Sequence, residues 1–424
     1  MQSKYFLVGI GGAGMSALAR LLKSRGELVS GSDVSRGEEV IRLSAEGVSI
    51  AIGQDISLIP ADTETIVYSN ALKKYAPEFV NALVGKFKVR SYPEVLGEIS
   101  EGMTTVAIAG THGKTTTTAM VATVFRDLGL DPTVIVGGTL VRERTNFIAG
   151  KSEYLVIEAD EYEKAFHNYF PKFLIITNID PDHLDYYKDL ADIQSAFREV
   201  VLRVPKDGVI ICNPSNAHII PVVQNIKPHK VDYSQGLTSE LRLSFPGAHM
   251  RANAQAVLAL AEFLKLPREK VIESLNNFLG TERRFEYKGE TKNRALIYDD
   301  YAHNPEKVRA AISGAREMFP DKKIVAVFQP HLYSRTKKLF KELASSFVEA
   351  DEVLVLPIFP SREKPDPSIT SQMLGEAIAA NGKNARYLST FSEAEEYLNT
   401  LGSDSVVLLI GAGDVNKLSQ ALVG

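Results

Sequence analysis

Short apolar runs alternate with stretches of helical periodicity along the amino-terminal part of the chain. Residues Met15 to Ser24 have the spacing of an amphipathic helix. The apolar runs are Tyr5 to Ile10, Leu28 to Ser30, Thr65 to Ser69 and Val89 to Tyr92. This alternation predicts a parallel β-sheet with crossover helices. We assign it to a first domain over residues 1–102.

The same pattern begins again twice further along the chain. A strand over 104 to 109 precedes a helix to about Leu128, and later helices are predicted over 251 to 265 and 268 to 278. The remaining apolar runs are 154 to 157, 173 to 177, 209 to 212, 295 to 298, 324 to 328, 352 to 356 and 406 to 410. The chain is also too long for one ordinary core. The prediction is an α/β protein with further domains over 103–283 and 284–424.

Composition and charge limit the classes of partner. With 45% apolar residues, 24% charged residues and a net charge of −4, the chain is typical of a soluble globular protein, and we expect no nucleic-acid or membrane partner. The single cysteine, Cys212, excludes an internal disulfide and fits a reducing compartment. No export signal or bilayer-spanning run is visible. We therefore expect a cytoplasmic protein.

Residues 110 to 116, Gly-Thr-His-Gly-Lys-Thr-Thr, have the layout of a loop that holds nucleotide phosphates. Its glycines let backbone N–H groups point inward, Lys114 supplies charge for the β/γ-phosphates, and Thr115 offers a hydroxyl to magnesium. The loop is tighter than the common phosphate-loop pattern, because the position five before Gly113 is Ile108. It predicts an ATP site, and the alternative is a turn that merely starts a helix.

A second glycine-rich segment follows the first strand. Residues 9 to 14 read Gly-Ile-Gly-Gly-Ala-Gly, and Asp33 lies near the end of the next strand. This geometry serves any ligand whose diphosphate lies on a helix N-terminus. The ligand predicted here is therefore either a nicotinamide cofactor or a UDP-sugar. A purely structural glycine turn is the third possibility.

Two later apolar runs end in acidic loops at the same predicted sheet edge as the phosphate loop. The first ends at Glu158 in Glu-Ala-Asp-Glu, and the second is followed by His183. Carboxylate and imidazole groups are suitable ligands for a divalent ion. We therefore predict one or two magnesium sites, formed by Thr115 with Glu158 and by Glu158 with His183. The alternative for His183 is a surface residue or helix cap, and the alternative for Asp180, Asp182 and Asp185 is a turn or cap role.

Polar loops also follow two strands of the third domain, over residues 299 to 305 and 329 to 335. Arg335 could bind a substrate carboxylate through two parallel hydrogen bonds, and Asp300 could accept ribose hydroxyls. The alternatives are an exposed ion pair and a helix N-cap.

Together the motifs resemble the Mur ligases of bacterial cell-wall synthesis, three-domain ATP-dependent enzymes that form amide bonds and are related to folylpolyglutamate synthetase. The motifs that carry the resemblance are residues 9–15, 110–118, 158–161, 182–185, 283–285, 299–305 and 328–336. The resemblance implies a Rossmann-like amino-terminal domain, a central P-loop-type ATPase domain and a Rossmann-like carboxy-terminal domain. It implies ATP and Mg²⁺, and ligation of L-alanine to the lactyl carboxylate of UDP-N-acetylmuramic acid through an acyl phosphate. We expect a monomer or a weak homodimer.

The resemblance also implies residue roles. The catalytic positions are Lys114, His183, His331 and Arg335. The ATP-binding positions are Gly110, Thr111, His112, Gly113, Lys114, Thr115, Thr116, Asn253, Arg284 and Asp300. The UDP-sugar positions are Gly11, Gly12, Ala13, Gly14, Asp33 and Ser69. The metal positions are Thr115, Glu158 and His183.

Two positions depart from the family pattern and keep alternatives open. Met250 stands where the family usually has an adenine-facing asparagine, which leaves Asn253 to make the polar contact. Tyr162 follows Glu161, as in the related ligases that attach a recycled murein tripeptide. That recycling activity is one alternative. An NAD-dependent dehydrogenase and an ATP-binding regulator are alternatives from other classes.

Overall fold

The computed structural model describes residues 4–423 except 71, 73–75, 85, 185, 236–238 and 362. The chain divides into two compact units, Met1–Leu243 with Arg251–Leu279, and Ser244–Met250 with Gly280–Gly424. Over the described ranges the first unit contains two sheets and the second contains one. The mixed α/β class with parallel sheets is confirmed, whereas the bounds of the three predicted domains stay predictions.

The first sheet has five parallel strands in the described residues, in the order β3-β2-β1-β4-β5. Its strands are β1 (Lys4–Val8), β2 (Leu28–Asp33), β3 (Ser49–Ile52), β4 (Thr65–Tyr68) and β5 (Lys88–Ser91). Its helices are α1 (Ala13–Ser24), α2 (Glu38–Ala45), α3 (Pro77–Val84) and α4 (Tyr92–Glu101). Val8 lies opposite both Ser32 and Tyr68. The loops that follow β1, β2 and β4 therefore leave the sheet at one edge.

The second sheet has seven strands among the described residues, in the order β12-β11-β10-β6-β9-β7-β8, with β8 antiparallel to β7. Its strands are β6 (Thr104–Ala109), β7 (Thr133–Leu140), β8 (Thr145–Ile148), β9 (Tyr154–Ala159), β10 (Phe173–Ile176), β11 (Val209–Cys212) and β12 (His229–Asp232). The helices are α5 (Lys114–Asp127), α6 (Leu190–Val201), α7 (Ile220–Val223), α8 (Ala248–Phe263) and α9 (Arg268–Asn276). Ala109 lies opposite both Ala159 and Ile176, so the loops after β6, β9 and β10 meet.

The third sheet has six strands in the part of the chain described, in the order β13-β14-β18-β15-β16-β17, with β13 antiparallel to β14. Its strands are β13 (Glu286–Glu290), β14 (Leu296–Asp300), β15 (Lys323–Phe328), β16 (Glu352–Val355), β17 (Asn384–Tyr387) and β18 (Ser405–Ile410). The helices are α10 (Pro305–Met318), α11 (Tyr333–Lys338), α12 (Phe340–Ala344), α13 (Ser371–Ala380), α14 (Phe391–Leu398) and α15 (Lys417–Leu422). Ile410 lies opposite both Asp300 and Phe328.

Some elements differ from the sequence-based expectation. The apolar runs did not predict β3, β7, β8, β12, β13 or β17, which lie at or near sheet edges and include polar or glycine positions. The helix expected over 251 to 265 begins earlier, at Ala248, and the one expected over 268 to 278 ends at Asn276. Across the described ranges, no helix combines the length and the apolar character that crossing a bilayer requires.

Candidate active site

The first glycine-rich loop is held by the carboxylate of Asp33. Its Oδ2 accepts a hydrogen bond from Gly11 N at 2.9 Å, and its Oδ1 accepts one from Ser35 N at 3.1 Å. A Cβ atom on Gly11 would lie 3.0 Å from Asp33 Oδ2 and 2.8 Å from Val40, so a larger residue would displace these contacts. A Cβ on Gly9 would lie 3.8 Å from Ser69 Oγ. The structure thus brings Gly11, Asp33 and Ser69 to one sheet edge beside the N-terminus of α1.

Asp33 therefore has a local structural role that the sequence did not predict. The first N–H groups of a helix have no acceptor within the helix, and the N-cap of α1, Gly12, has no side chain to accept from them. Such a helix start is suited to an anionic diphosphate.

The phosphate loop is fixed by the end of β10. Thr177 Oγ1 donates a hydrogen bond to His112 O at 2.6 Å, and Asn178 Oδ1 accepts one from His112 N at 2.8 Å. Gly110 has a φ of +140°, and a Cβ there would lie 2.0 Å from Thr177 Oγ1. Neither the backbone nor the space at Gly110 allows a side chain.

Asn253 lies on α8 directly against this loop. A Cβ on Gly113 would lie 2.7 Å from Asn253 Oδ1, and Gly113 has a φ of +84°. Asn253 is buried. The structure therefore brings this predicted nucleotide residue to the phosphate loop.

The ammonium of Lys114 is held between two acceptors. It donates hydrogen bonds to Gly110 O and to Glu161 Oε2, both at 2.7 Å. Burial alone would lower the pKa of Lys114, but the negative charges of Glu161 and Asp160 outweigh it, and the pKa is raised above its usual value. Lys114 is therefore positively charged at neutral pH.

The predicted metal residues fall into two neighbouring groups. Thr115 Oγ1 donates a hydrogen bond to Glu158 Oε2 at 3.2 Å. His183 Nε2 lies 3.8 Å from Glu161 Oε1, and ligand atoms of Asp160, Glu161 and His183 lie within 4.8 Å of one another. His183 thus lies beside Glu161, a residue for which the sequence predicted no role.

The carboxyl of Glu161 is buried, and that of Glu158 is half-buried. Burial raises the pKa of each, opposed at Glu158 by a hydrogen bond from Gly137 N at 2.5 Å and at Glu161 by the charge of Lys114. Among the described residues, Oε1 of Glu161 has no hydrogen-bond partner. A buried oxygen without a partner, beside an imidazole nitrogen, is suited to a divalent cation.

The aspartates of the His183 loop have structural contacts. Asp180 Oδ1 lies 3.2 Å from His218 Nδ1, and Asp182 Oδ1 accepts a hydrogen bond from His183 N at 2.7 Å. Asp185 lies outside the described residues. The ring of Tyr162 lies against that of His183, with centroids 4.7 Å apart.

In the second unit, Asp300 connects two chain segments. Its Oδ2 accepts a hydrogen bond from Phe285 N and its Oδ1 accepts one from Ala302 N, both at 2.8 Å. Burial raises the pKa of Asp300, and the positive charge of Arg284 opposes the shift. The guanidinium of Arg284 lies over the ring of Tyr301, 5.5 Å from its centroid.

Arg335 and His331 form a direct pair in the same unit. Arg335 Nη1 donates a hydrogen bond to His331 Nδ1 at 3.1 Å. Burial lowers the pKa of His331, and the Arg335 charge lowers it further. Because an arginine can only donate, His331 is neutral with its proton on Nε2.

Comparisons with known proteins match successive parts of the chain to one family. Family models match residues 4–104 (Mur ligase family, catalytic domain), 108–245 (Mur ligase middle domain) and 283–413 (Mur ligase, glutamate ligase domain). The UDP-N-acetylmuramate–L-alanine ligase of Clostridium kluyveri is 38% identical over 98% of this chain and 97% of its own. That of Clostridium perfringens is 37% identical over 99% and 97%.

Solved structures of ligases also match nearly the whole chain. The UDP-N-acetylmuramate-alanine ligase of Thermotoga maritima matches with a TM-score of 0.82 and 28% identity, over 99% of this chain and 98% of its own. A murein peptide ligase of Psychrobacter arcticus shares the fold with a TM-score of 0.69 and 24% identity, over 99% and 98%.

Proposed function

Because this chain belongs to the Mur ligase family, we propose that it is a UDP-N-acetylmuramate:L-alanine ligase that works in peptidoglycan precursor synthesis. The observation that carries the proposal is the nearly full-length likeness to L-alanine ligases. The comparisons do not favour the recycling ligase, the dehydrogenase or the regulator. A cytosolic location and a monomer or weak homodimer belong to the same proposal.

The phosphate loop residues, 110 to 116, are proposed to hold ATP together with Asn253, Arg284 and Asp300. A folylpolyglutamate synthase of Mycobacterium tuberculosis that shares the fold has been solved with ADP, which supports this assignment. The glycines at the loop leave its backbone open to phosphates, and Lys114 has three donors of which two are used by Gly110 and Glu161. The third donor is proposed to bind the γ-phosphate.

Magnesium fits the neighbouring oxygen and nitrogen donors. Thr115 and Glu158 would hold one ion, and His183 is proposed as a further ligand, with Glu161 Oε1 as the buried acceptor beside it. Bound Mg²⁺ would supply positive charge that stabilises the transferring phosphoryl group.

The proposed reaction has two steps. An oxygen of the lactyl carboxylate attacks the γ-phosphorus, an acyl phosphate forms and ADP leaves, while the Lys114 ammonium balances the developing negative charge. The neutral amine of L-alanine then attacks the acyl carbon, and inorganic phosphate leaves. Activation is required because a carboxylate is a poor electrophile.

Substrate binding is assigned to both units. The N-terminus of α1 with Gly11, Gly12, Ala13 and Gly14, supported by Asp33 and Ser69, is proposed for the UDP diphosphate. In the second unit, Arg335 is proposed to bind the carboxylate of L-alanine, because its guanidinium matches a carboxylate and is oriented by His331.

The experiment is phosphate release from ATP and Mg²⁺ with UDP-N-acetylmuramic acid and one acceptor at a time: L-alanine, glycine, L-serine or the murein tripeptide. Release that depends on L-alanine supports the proposal. Release only with the tripeptide would move the chain to the recycling branch. No release with any acceptor would contradict a ligase.

A further inference from the structure

Asn146, on strand β8, makes three hydrogen bonds to a single helix. Its Nδ2 donates to Ala13 O at 2.7 Å and to Ser16 Oγ at 3.1 Å, and its Oδ1 accepts from Arg20 Nη1 at 3.0 Å. Asn146 is only 6% exposed. A buried amide with most of its capacity satisfied fixes the geometry between the two elements that it joins.

The helix that it holds is α1, whose N-terminus is the proposed diphosphate site. Ala13 lies in the first turn, directly after the N-cap Gly12. Arg20 continues the connection, because it also pairs with Glu39 at 2.9 Å and with Glu46 at 2.8 Å on and just after α2. The start of α1 is thereby tied to the hairpin β7–β8.

The same hairpin contacts the proposed phosphate and metal residues. Gly137, on β7, donates its N–H to Glu158 Oε1 at 2.5 Å. A Cβ on Gly138 would lie 3.2 Å from Thr115 Cγ2. Asn146 is also adjacent to Phe147, which pairs with Ile135 of β7. The hairpin β7–β8 therefore contacts the start of α1 through β8 and the Thr115–Glu158 pair through β7.

We propose that Asn146 is a positioning residue that sets the first turn of α1 against the hairpin β7–β8, so that the lactyl carboxylate of the bound UDP-sugar is aligned with the γ-phosphate held by Lys114. This rests on the proposed function. The amide of Asn146 is directed at α1 by its three hydrogen bonds, so its role is one of positioning. Its effect is on the relative placement of two sites, and a misplacement of about 1 Å between reacting groups can cost on the order of a hundredfold in rate.

The test is Asn146→Ala with kcat, KM and ligand affinities measured separately. We expect kcat to fall at least about tenfold, with the affinity for Mg·ADP changed by less than about twofold, because the phosphate loop itself is intact. The affinity for UDP-N-acetylmuramic acid is measured with and without a non-hydrolysable ATP analogue. Any effect of one ligand on the other in the wild type should be weakened in the variant.

Two further variants keep the test decisive. Asn146→Asp preserves the volume and the acceptor for Arg20 but removes both donated hydrogen bonds, and the same loss of kcat is expected if Asn146→Ala does not fold. Asn276→Ala is the matched control, since this amide also bonds backbone groups, Glu240 O at 3.1 Å and Arg242 N at 2.7 Å, outside the connection described.

The outcomes are distinguishable. If Asn146→Ala and Asn146→Asp both keep kcat within about twofold of the wild type, the positioning role is wrong. It is also wrong if they lose nucleotide affinity and melting temperature in parallel with kcat, since that is general destabilisation. A wild-type protein that releases no phosphate contradicts the proposed function instead.

Discussion

The ammonium of Lys114 and the carboxylate of Glu161 form a buried ion pair at 2.7 Å, although 47 positions separate them in the chain. The side chain of Glu161 is 3% exposed, and that of Lys114 is 15% exposed. The pair fixes the direction of the charge that is proposed to meet the γ-phosphate. The pair also keeps the Lys114 side chain protonated, because burial without a negatively charged partner would lower the pKa of a lysine.

Removal of the Glu161 charge should change the pH dependence of turnover. In Glu161→Gln the pKa of Lys114 is expected to fall, because burial is then opposed by less negative charge. Lys114 must be protonated to act, so the alkaline limb of the kcat profile should move to lower pH. The measurement is kcat between neutral and alkaline pH, and an unchanged alkaline limb would contradict the role of this pair.

Lys114→Ala should lose turnover and keep its fold. The variant removes the only charge of the phosphate loop that the proposal directs at the γ-phosphate, and a fall in kcat of about a hundred- to a thousandfold is expected. Phosphate release and the circular dichroism spectrum are measured together. A variant with the native spectrum and full activity would exclude the phosphate-loop assignment.

Gly137→Ala should weaken the proposed magnesium site. A Cβ at this position would lie 2.8 Å from Glu158 Oε2, so the carboxylate that contacts Thr115 must move. We expect a higher Mg²⁺ concentration for half-maximal rate and a kcat lower on the order of tenfold. Gly37→Ala is the control, because a Cβ at Gly37 has no atom within 4 Å. Equal Mg²⁺ dependence in both variants would argue against Glu158 as a ligand.

Arg335→Lys should act mainly on the amino-acid substrate. Lysine keeps the charge but loses the planar pair of donors that matches a carboxylate. KM for L-alanine is expected to rise by about tenfold or more, while KM for ATP changes by less than about twofold. Steady-state kinetics with each substrate varied in turn checks this. A rise confined to KM for ATP would place Arg335 at the nucleotide.

Asp299 should make the second unit lose stability as pH rises. Burial raises the pKa of Asp299 to about 7, from a usual value of 3.8, although Arg283 lies 3.2 Å away and opposes the shift. Between these pKa values the folded state binds a proton that the unfolded state does not, so the free energy of unfolding falls with increasing pH. The measurement is denaturant unfolding of the wild type and of Asp299→Asn at pH 5 and pH 8. The free energy of unfolding of the wild type, relative to that of the variant, should fall by at most about 1.4 kcal/mol per pH unit between about pH 4 and 7. A difference independent of pH would contradict this.

The buried strands of the fold could be predicted from the sequence. Thr104–Ala109 and Val209–Cys212 were predicted with the bounds observed, because strands covered on both faces are continuous apolar runs. Edge strands such as His229–Asp232 and Asn384–Tyr387 were missed, because one side is exposed and their residues are largely polar. Composition there does not distinguish a strand from a loop.

The site was predictable only where its chemistry is local. The phosphate loop and the glycine-rich loop are short motifs whose strand-loop-helix context is visible in the sequence. The partners of Lys114 and His183 are not, because they depend on the register that places Ile108 opposite Glu158. For the same reason Asn146 could not be identified from the sequence, because its contact with α1 depends on the position of β8 at the sheet edge.

We propose that ATP activates the lactyl carboxylate by direct phosphoryl transfer. The most direct measurement uses UDP-N-acetylmuramic acid with oxygen-18 in that carboxylate, ATP, Mg²⁺ and L-alanine, followed by mass spectrometry of the released phosphate. An acyl phosphate carries one carboxylate oxygen into the phosphate when the amine displaces it, so labelled phosphate should form in step with the amide product. Amide formation with unlabelled phosphate would contradict the acyl-phosphate mechanism, and phosphate released without amide would contradict the ligase itself.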